Sequence, residues 1–390
     1  MSCKLRFQHR LVTGSILAMT MFVALGNARA AEPISLDKFR DGISHWRSGH
    51  DRVDYPRYQP DQVQEICENF LLYQRANGGW RQNEDPCRIL GDEEKRELEA
   101  TRSSEDTSFD NRATYPQIEF LAQAYQQLGD PRYREAATRG LRFVLKAQYA
   151  NGGWPHTYPS KKGYHPRITI VDDVMVGVLT LLRDVASRRP PYDFIDDDLH
   201  RQMVNAHARG ETCLLKLQVV VNGELTVWAA QYDENSLVPC MGRSFELPAL
   251  ISAESVGVLR YLMHIERPKP EVMAAVDSGV RWFERSKITG LRIERVPAEP
   301  VRYANHTSRD DVIAVEDATA PPLWARFYEI ETNRPFMANR DGKRVYRLAD
   351  VARERRTGYS WYGGYATTLL NEEYPAWQRR VAERSSADSP

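Results

Sequence analysis

Apolar residues along this chain fall into stretches of helical period, and the stretches recur. A run ending in Gln is followed by Asn-Gly-Gly and Trp. The first copy is Phe70-Leu71-Leu72-Tyr73-Gln74 with Asn77-Gly78-Gly79-Trp80. The second is Phe143-Val144-Leu145-Lys146-Ala147-Gln148 with Asn151-Gly152-Gly153-Trp154-Pro155. A looser third is Leu214-Leu215-Lys216-Leu217-Gln218 with Asn222-Gly223 and Trp228, and a weak fourth is Val280-Arg281-Trp282-Phe283-Glu284 with Lys287 and Gly290. The three glutamines lie roughly 70 residues apart, too far for the short helical-pair solenoids but suited to two long helices with substantial loops. Between the copies lies a second helical pattern, over 115–128, 174–185 and 252–264. In the middle one Val174, Val178, Leu181, Leu182 and Val185 share one face. Asn-Gly-Gly suits a helix stop because Asn and Gly accept the left-handed conformation. Each repeat therefore reads as helix, long loop, helix, Gly-rich stop. The expected fold is mainly α: an α/α toroid of helical hairpins, with its long loops and a few short β-hairpins forming a cleft at one rim. No sustained strand alternation is evident.

The ends of the chain depart from this pattern. Residues 1–30 read as a signal peptide: Lys4, Arg6 and Arg10, an apolar run over 11–25, and Ala28-Arg29-Ala30 as a cleavage site. The run is short of the roughly 20 apolar residues a membrane span needs. An exported protein, periplasmic or extracellular and with no membrane association after processing, is expected. Residues 31–59 read as a polar lead-in, 60–375 as the helical domain, and 376–390 as a tail.

Charge narrows the function. The whole chain balances 53 Lys and Arg against 53 Asp and Glu, and the mature part would carry 49 basic and 53 acidic residues. That argues against a nucleic-acid binder, which needs clustered surplus cations. Cys67, Cys87, Cys213 and Cys240 remain after processing; sequence order favours Cys67–Cys87 and Cys213–Cys240, although other pairings are open. Eight Trp and 19 Tyr are many, and surplus aromatics suit ring recognition as well as core packing. Walker, dinucleotide-binding, H-E-x-x-H and G-x-S-x-G motifs are all missing, which disfavours nucleotide cofactors and zinc. Monomer is the default expectation.

Four loop-to-helix junctions carry candidate chemistry. In Thr107-Ser108-Phe109-Asp110-Asn111-Arg112-Ala113-Thr114, Asp110 either caps the next helix or offers a carboxylate to a cation or substrate. In Val171-Asp172-Asp173-Val174, two adjacent acids either serve the helix dipole or, with Asp110, hold a hard divalent cation such as Ca²⁺. In Gly242-Arg243-Ser244-Phe245-Glu246, Arg243 either pairs with Glu246 or faces an anionic substrate. In Leu323-Trp324-Ala325-Arg326-Phe327-Tyr328-Glu329, Trp324 could stack on substrate and Arg326 fork onto a carboxylate.

Together, Phe109-Asp110-Asn111-x-Ala113-Thr114, Asn151-Gly152-Gly153-Trp154-Pro155, Asp172-Asp173-x-Met175-Val176, Arg243-x-Phe245-Glu246-Leu247-Pro248 and Leu323-Trp324-Ala325-Arg326-Phe327-Tyr328-Glu329 resemble the family-10 polysaccharide lyases, which are pectate lyases. Arg340-Asp341-Gly342 and Gly358-Tyr359-x-Trp361-Tyr362-Gly363 add to the likeness, which runs from about residue 60 to 375. The resemblance implies an incomplete α/α toroid, a Ca²⁺ requirement and β-elimination on polygalacturonate. It implies Arg243 as the base, Asp110 with Asp172 and Asp173 at the cation, and Asn111, Arg326, Trp154 and Trp324 at the substrate. Two positions depart: Arg112 stands where a small residue is expected, and His156 where Gln is more usual. A glycoside hydrolase using Asp110 with Asp172 or Asp173, and a non-catalytic uronate-binding protein, are the competing readings.

Overall fold

The computed structural model describes residues 32–50, 54–159, 162–304 and 306–387; the expected signal peptide lies outside them. Its helices are α1 (Arg40–Gly49), α2 (Val63–Tyr73), α3 (Asp92–Ala100), α4 (Tyr115–Leu128), α5 (Pro131–Ala147), α6 (Val174–Ala186), α7 (Asp197–Lys216), α8 (Ala253–Met263), α9 (Pro270–Arg285), α10 (Arg353–Gly358) and α11 (Tyr374–Ala387). They form two nested arcs. Helices α4, α6 and α8 pack side by side in one, and α2, α5, α7 and α9 in the other. The expected α/α toroid is the observed architecture.

Local sequence explains where these helices start. Asp130 caps α5, its carboxylate accepting from the Arg132 N–H, with Pro131 at the first helical position; Asp196 caps α7 by accepting from Leu199 N–H. The helix stop differs from expectation. Helices α2 and α5 end at Gln74 and Gln148 in extended conformation, before Asn-Gly-Gly is reached. Each glutamine then staples the repeat. Gln74 Nε2 donates to Gly78 O and Ala136 O, Gln148 Nε2 to Gly152 O and Ala206 O, and Gln218 Nε2 to Thr226 O and Ala275 O, all within 2.8–3.0 Å. The glycines serve the turn instead. Gly78 and Gly152 have φ of 98° and 99°, and a Cβ on either would collide with the carbonyl of Arg139 or Arg209 in the next outer helix.

The repeat tryptophans are core residues. Trp80, Trp154, Trp228 and Trp324 are almost completely buried, and each indole N–H donates to a carbonyl near the end of an outer helix: Phe70, Val144, Leu214 and Phe283, at 2.8–2.9 Å. Trp324 is thus the fourth copy of the repeat tryptophan. It is separated from α9 by a long antiparallel ribbon, Leu291–Arg302 paired with Thr307–Glu316, which the sequence reading did not expect. The ribbon is largely exposed on both faces, so it shows little apolar alternation, and Pro297 adjoins its register shift. Arg353 and Arg356 of α10 tie it down through Asp310 O and the Asp311 carboxylate.

Two further features differ from expectation. All four cysteines are free thiols: neither Cys67–Cys87 nor Cys213–Cys240 forms. The lead-in also packs onto the helical domain, with Phe39 against Phe70 and Phe120, while α11 in the tail buries Trp377 and Arg380 donates to Met263 O.

Gln218→Leu roughly keeps the side-chain volume but removes both buried hydrogen bonds, leaving Thr226 O without its side-chain donor. We expect a loss of about 2 kcal/mol in denaturant-unfolding stability. A loss under about 0.5 kcal/mol would mean the staple is not structural.

Candidate active site

The repeat itself builds the site. The carbonyl two residues beyond a repeat Trp accepts the N–H just ahead of an inner helix: His156 O from Phe109, Ala230 O from Ile170 and Arg326 O from Ser252, at 2.9–3.0 Å. Side chains at that position therefore land beside the starts of α4, α6 and α8. Two carry chemistry. His156 Nε2 is 3.1 Å from Asp110 Oδ2, and Arg326 Nη2 donates to Glu254 Oε1 in the first turn of α8. Pairing of Phe327–Tyr328 with Leu250–Ile251 fixes the second of these registers.

The turns ahead of α4 and α6 are strained. Asn111, Arg112 and Thr114 have φ of 49°, 57° and 74°, and Asp172 and Asp173 have 56° and 59°. Non-glycine residues in this region cost about 1 kcal/mol or more each, and such strain gathers at functional sites. The two turns pack on each other at helix N-termini, where the dipole favours negative charge.

That packing brings Asp110 and Asp172 close enough for each carboxyl to perturb the other. Burial would raise Asp110, but His156, the neighbouring Asp172 and the charge of Arg243 outweigh it and hold the carboxyl at about 2. Asp172 moves the other way, raised well above the usual range by burial and by the Asp110 charge beside it. Opposite shifts of this kind are what two neighbouring carboxyls that share one proton produce. Asp110 Oδ1 is buried with no partner. Two converging carboxylates with an unused buried oxygen suit a hard cation, whose remaining ligands would be water or substrate, since no group of three His, Cys, Asp or Glu is assembled among the described residues.

Asp173 does not join them. Its Oδ2 accepts from Arg112 Nε and Nη2 at 3.0 and 2.7 Å, so the adjacent acid expected at the cation is an ion-pair partner. Asn111 Nδ2 donates to Asn83 Oδ1 at 2.8 Å. Trp154 and Trp324, expected to stack on substrate, have no free face, because the repeat spends both on the core.

Both arginines reach the site, and each has a carboxylate partner. Arg243 donates from Nε and Nη2 to Glu246 Oε2 and Oε1 at 2.9 and 2.6 Å, and its backbone N–H also donates to Oε2 at 3.0 Å. Glu246 is buried and also accepts from Tyr359 Oη. Arg326 lies over the Tyr359 ring, 4.6 Å from its centroid, and its Nε is buried without a partner, as is Glu254 Oε2. Burial alone would lower both guanidinium pKa values; Glu246 for Arg243, Glu254 for Arg326, and Tyr359 and Asp172 for both, raise them instead. Sequence reading found both arginines but missed Glu254, which no motif marked.

The pectic acid lyase family model matches residues 74–370. The chain belongs to this family. Its fold is similar to a family 10 polysaccharide lyase from Cellvibrio cellulosa, with TM-score 0.67 and 30% identity over 89% of this chain and 99% of that one. An aspartate-to-alanine mutant of such a lyase from Cellvibrio cellulosa, in complex with trigalacturonic acid, matches with TM-score 0.66 and 30% identity over 88% of this chain and 99% of that one. A search of the curated proteins gave no match. As a member of this family the protein is a polysaccharide lyase with pectate lyase activity.

The carboxylate pair makes a pH prediction for the cation-free protein. A folded-state pKa raised above the unfolded value helps stability below the unfolded value and loses that help as pH rises through the folded one. Asp172→Asn removes this loss while keeping a donor for Asp110. With chelator present, its melting temperature should match wild type near pH 4 and exceed it increasingly toward pH 9. A variant less stable than wild type at pH 9 would contradict the shared proton.

Proposed function

We propose that the protein cleaves polygalacturonate by Ca²⁺-dependent β-elimination at the rim where α4, α6 and α8 begin. The Asp110–Asp172 pair carries this reading: two carboxyls shifted in opposite directions, a buried Asp110 oxygen without a partner, and Asp172 lining a cavity within reach of the charge of both Arg243 and Arg326. Calcium bound there would neutralise the uronate carboxylate and lower the cost of ionising the neighbouring C5–H. The chain's own residues orient the sugar and take the proton, and the 4-linked sugar departs to leave a 4,5-unsaturated uronate.

The sequence resemblance gives the proton to Arg243. Its Nε, Nη2 and backbone N–H are all spent on buried Glu246, so neither Nε nor Nη2 can lose a proton without breaking a hydrogen bond, although Glu246 would keep Tyr359 Oη. Arg326 makes one hydrogen bond to Glu254 and keeps a buried Nε free. This geometry favours Arg326 as proton acceptor and Arg243 as the fork that holds a uronate carboxylate. A guanidinium is an acceptor only when deprotonated, and both are shifted upward, so turnover should rise into the alkaline range.

A hydrolase is the weaker reading. The family to which the chain belongs is one of lyases, which eliminate rather than hydrolyse. The charged and apolar leader of the sequence supports export, and no helix among the described residues is long and apolar enough to cross a membrane.

The assay is ultraviolet absorbance from polygalacturonate. Product should absorb with calcium and not with chelator; chelator-resistant turnover would remove the cation from the mechanism. Arg326→Lys should lower kcat by about a hundredfold or more, and Arg243→Lys should mainly raise KM. The reverse pattern returns the base to Arg243.

A further inference from the structure

Arg112 occupies a backbone conformation that favours glycine, with φ of 57°, in the turn that holds Asp110. Its guanidinium lines the cavity shared with Asp172 and Glu254 and is held there by an ion pair. Nε and Nη2 both donate to Asp173 Oδ2, at 3.0 and 2.7 Å. Asp173 directly follows Asp172, and its Oδ1 faces Gly257 of α8. The ion pair therefore crosses between the two strained turns that carry the carboxylate pair. It borders a cavity of about 700 Å³, which Arg40, Asp41 and Glu254 also line.

Fold stability does not explain the arrangement. Side-chain exposures of 40% and 33% make Arg112–Asp173 a half-exposed pair, and such pairs contribute little to folding. Its position offers another role. Three carboxylates, Asp110, Asp172 and Asp173, crowd these turns, and Glu254 lines the same cavity as Asp172 and Asp173. Arg112 neutralises the one that does not face Asp110 and ties its turn to the turn before it.

We propose that Arg112 is a positioning residue: its fork onto Asp173 holds the two turns together, so that Asp110 and Asp172 are paired before a cation arrives. This rests on the cation reading given above. It also accounts for an arginine where related sequences are expected to carry a small residue: position 112 acts as a strut at the edge of the cavity.

The test is calorimetric titration of calcium into the chelator-stripped full chain, without substrate. Arg112→Gly removes the strut and accepts the local φ, so its cation-free melting temperature should stay within a few degrees of wild type. Its calcium affinity should fall about tenfold, as when a side chain that orients a ligand is removed. Asp173→Asn should lose a similar amount, the double variant no more than either single one, and Arg112→Lys should recover part of the loss. Unchanged or tighter binding by Arg112→Gly, or losses that add in the double variant, would overturn the strut. No calcium binding by wild type would instead remove the cation reading, and the strut with it.

Discussion

Everything at this rim follows from two carboxyl groups placed in contact. Asp110 and Asp172 come from turns 62 positions apart in the chain, and neither would tolerate the other ionised at that distance. The fold absorbs the conflict by favouring the protonated form of Asp172, aiming helix N-termini at the pair and setting His156 against Asp110. Left-handed backbone at five non-glycine positions marks the local cost of holding the turns that way. A cation that displaces the proton converts this tension into affinity.

The toroid makes such an arrangement cheap to build. Each repeat buries a tryptophan against an outer helix and ends that helix on a glutamine or an equivalent residue, and in three of the four the carbonyl two residues beyond the tryptophan meets an inner helix start. One geometric slot therefore recurs at the rim. In this chain it holds His156 beside Asp110, Ala230 ahead of Asp172 and Arg326 beside Glu254. Function is distributed among repeats by changing the residue in the slot while the scaffold beneath it stays the same.

Positive charge is rationed as carefully as negative. Arg243, Arg326 and Arg112 each face a carboxylate, Glu246, Glu254 and Asp173, so each of these guanidinium charges is balanced locally. The pairings differ in kind. Glu246 saturates one face of Arg243 and fixes its direction, whereas Glu254 leaves atoms unused on both partners. A polyanionic chain entering this cleft meets one guanidinium set for binding and one with spare capacity.

Helical period, the Gln-Asn-Gly-Gly-Trp recurrence and the order of the acidic and arginine motifs were enough to give the α/α architecture, the family and the positions of Asp110, Asp172, Arg243 and Arg326. These are local or repeated signals, and a period is visible wherever one face of a helix must be buried. What side chains touch was not legible. Trp154 and Trp324 read as ring-binding aromatics until packing spent their indoles on carbonyls 10 and 41 residues away. Asp173 read as a twin of Asp172, but consecutive residues in a left-handed turn point apart, and its partner Arg112 lies 61 residues back. Glu254, the thiols that stay unpaired and the exposed ribbon had no pattern to betray them, because pairing across distant segments is decided when the arcs close and not by any stretch of the chain alone.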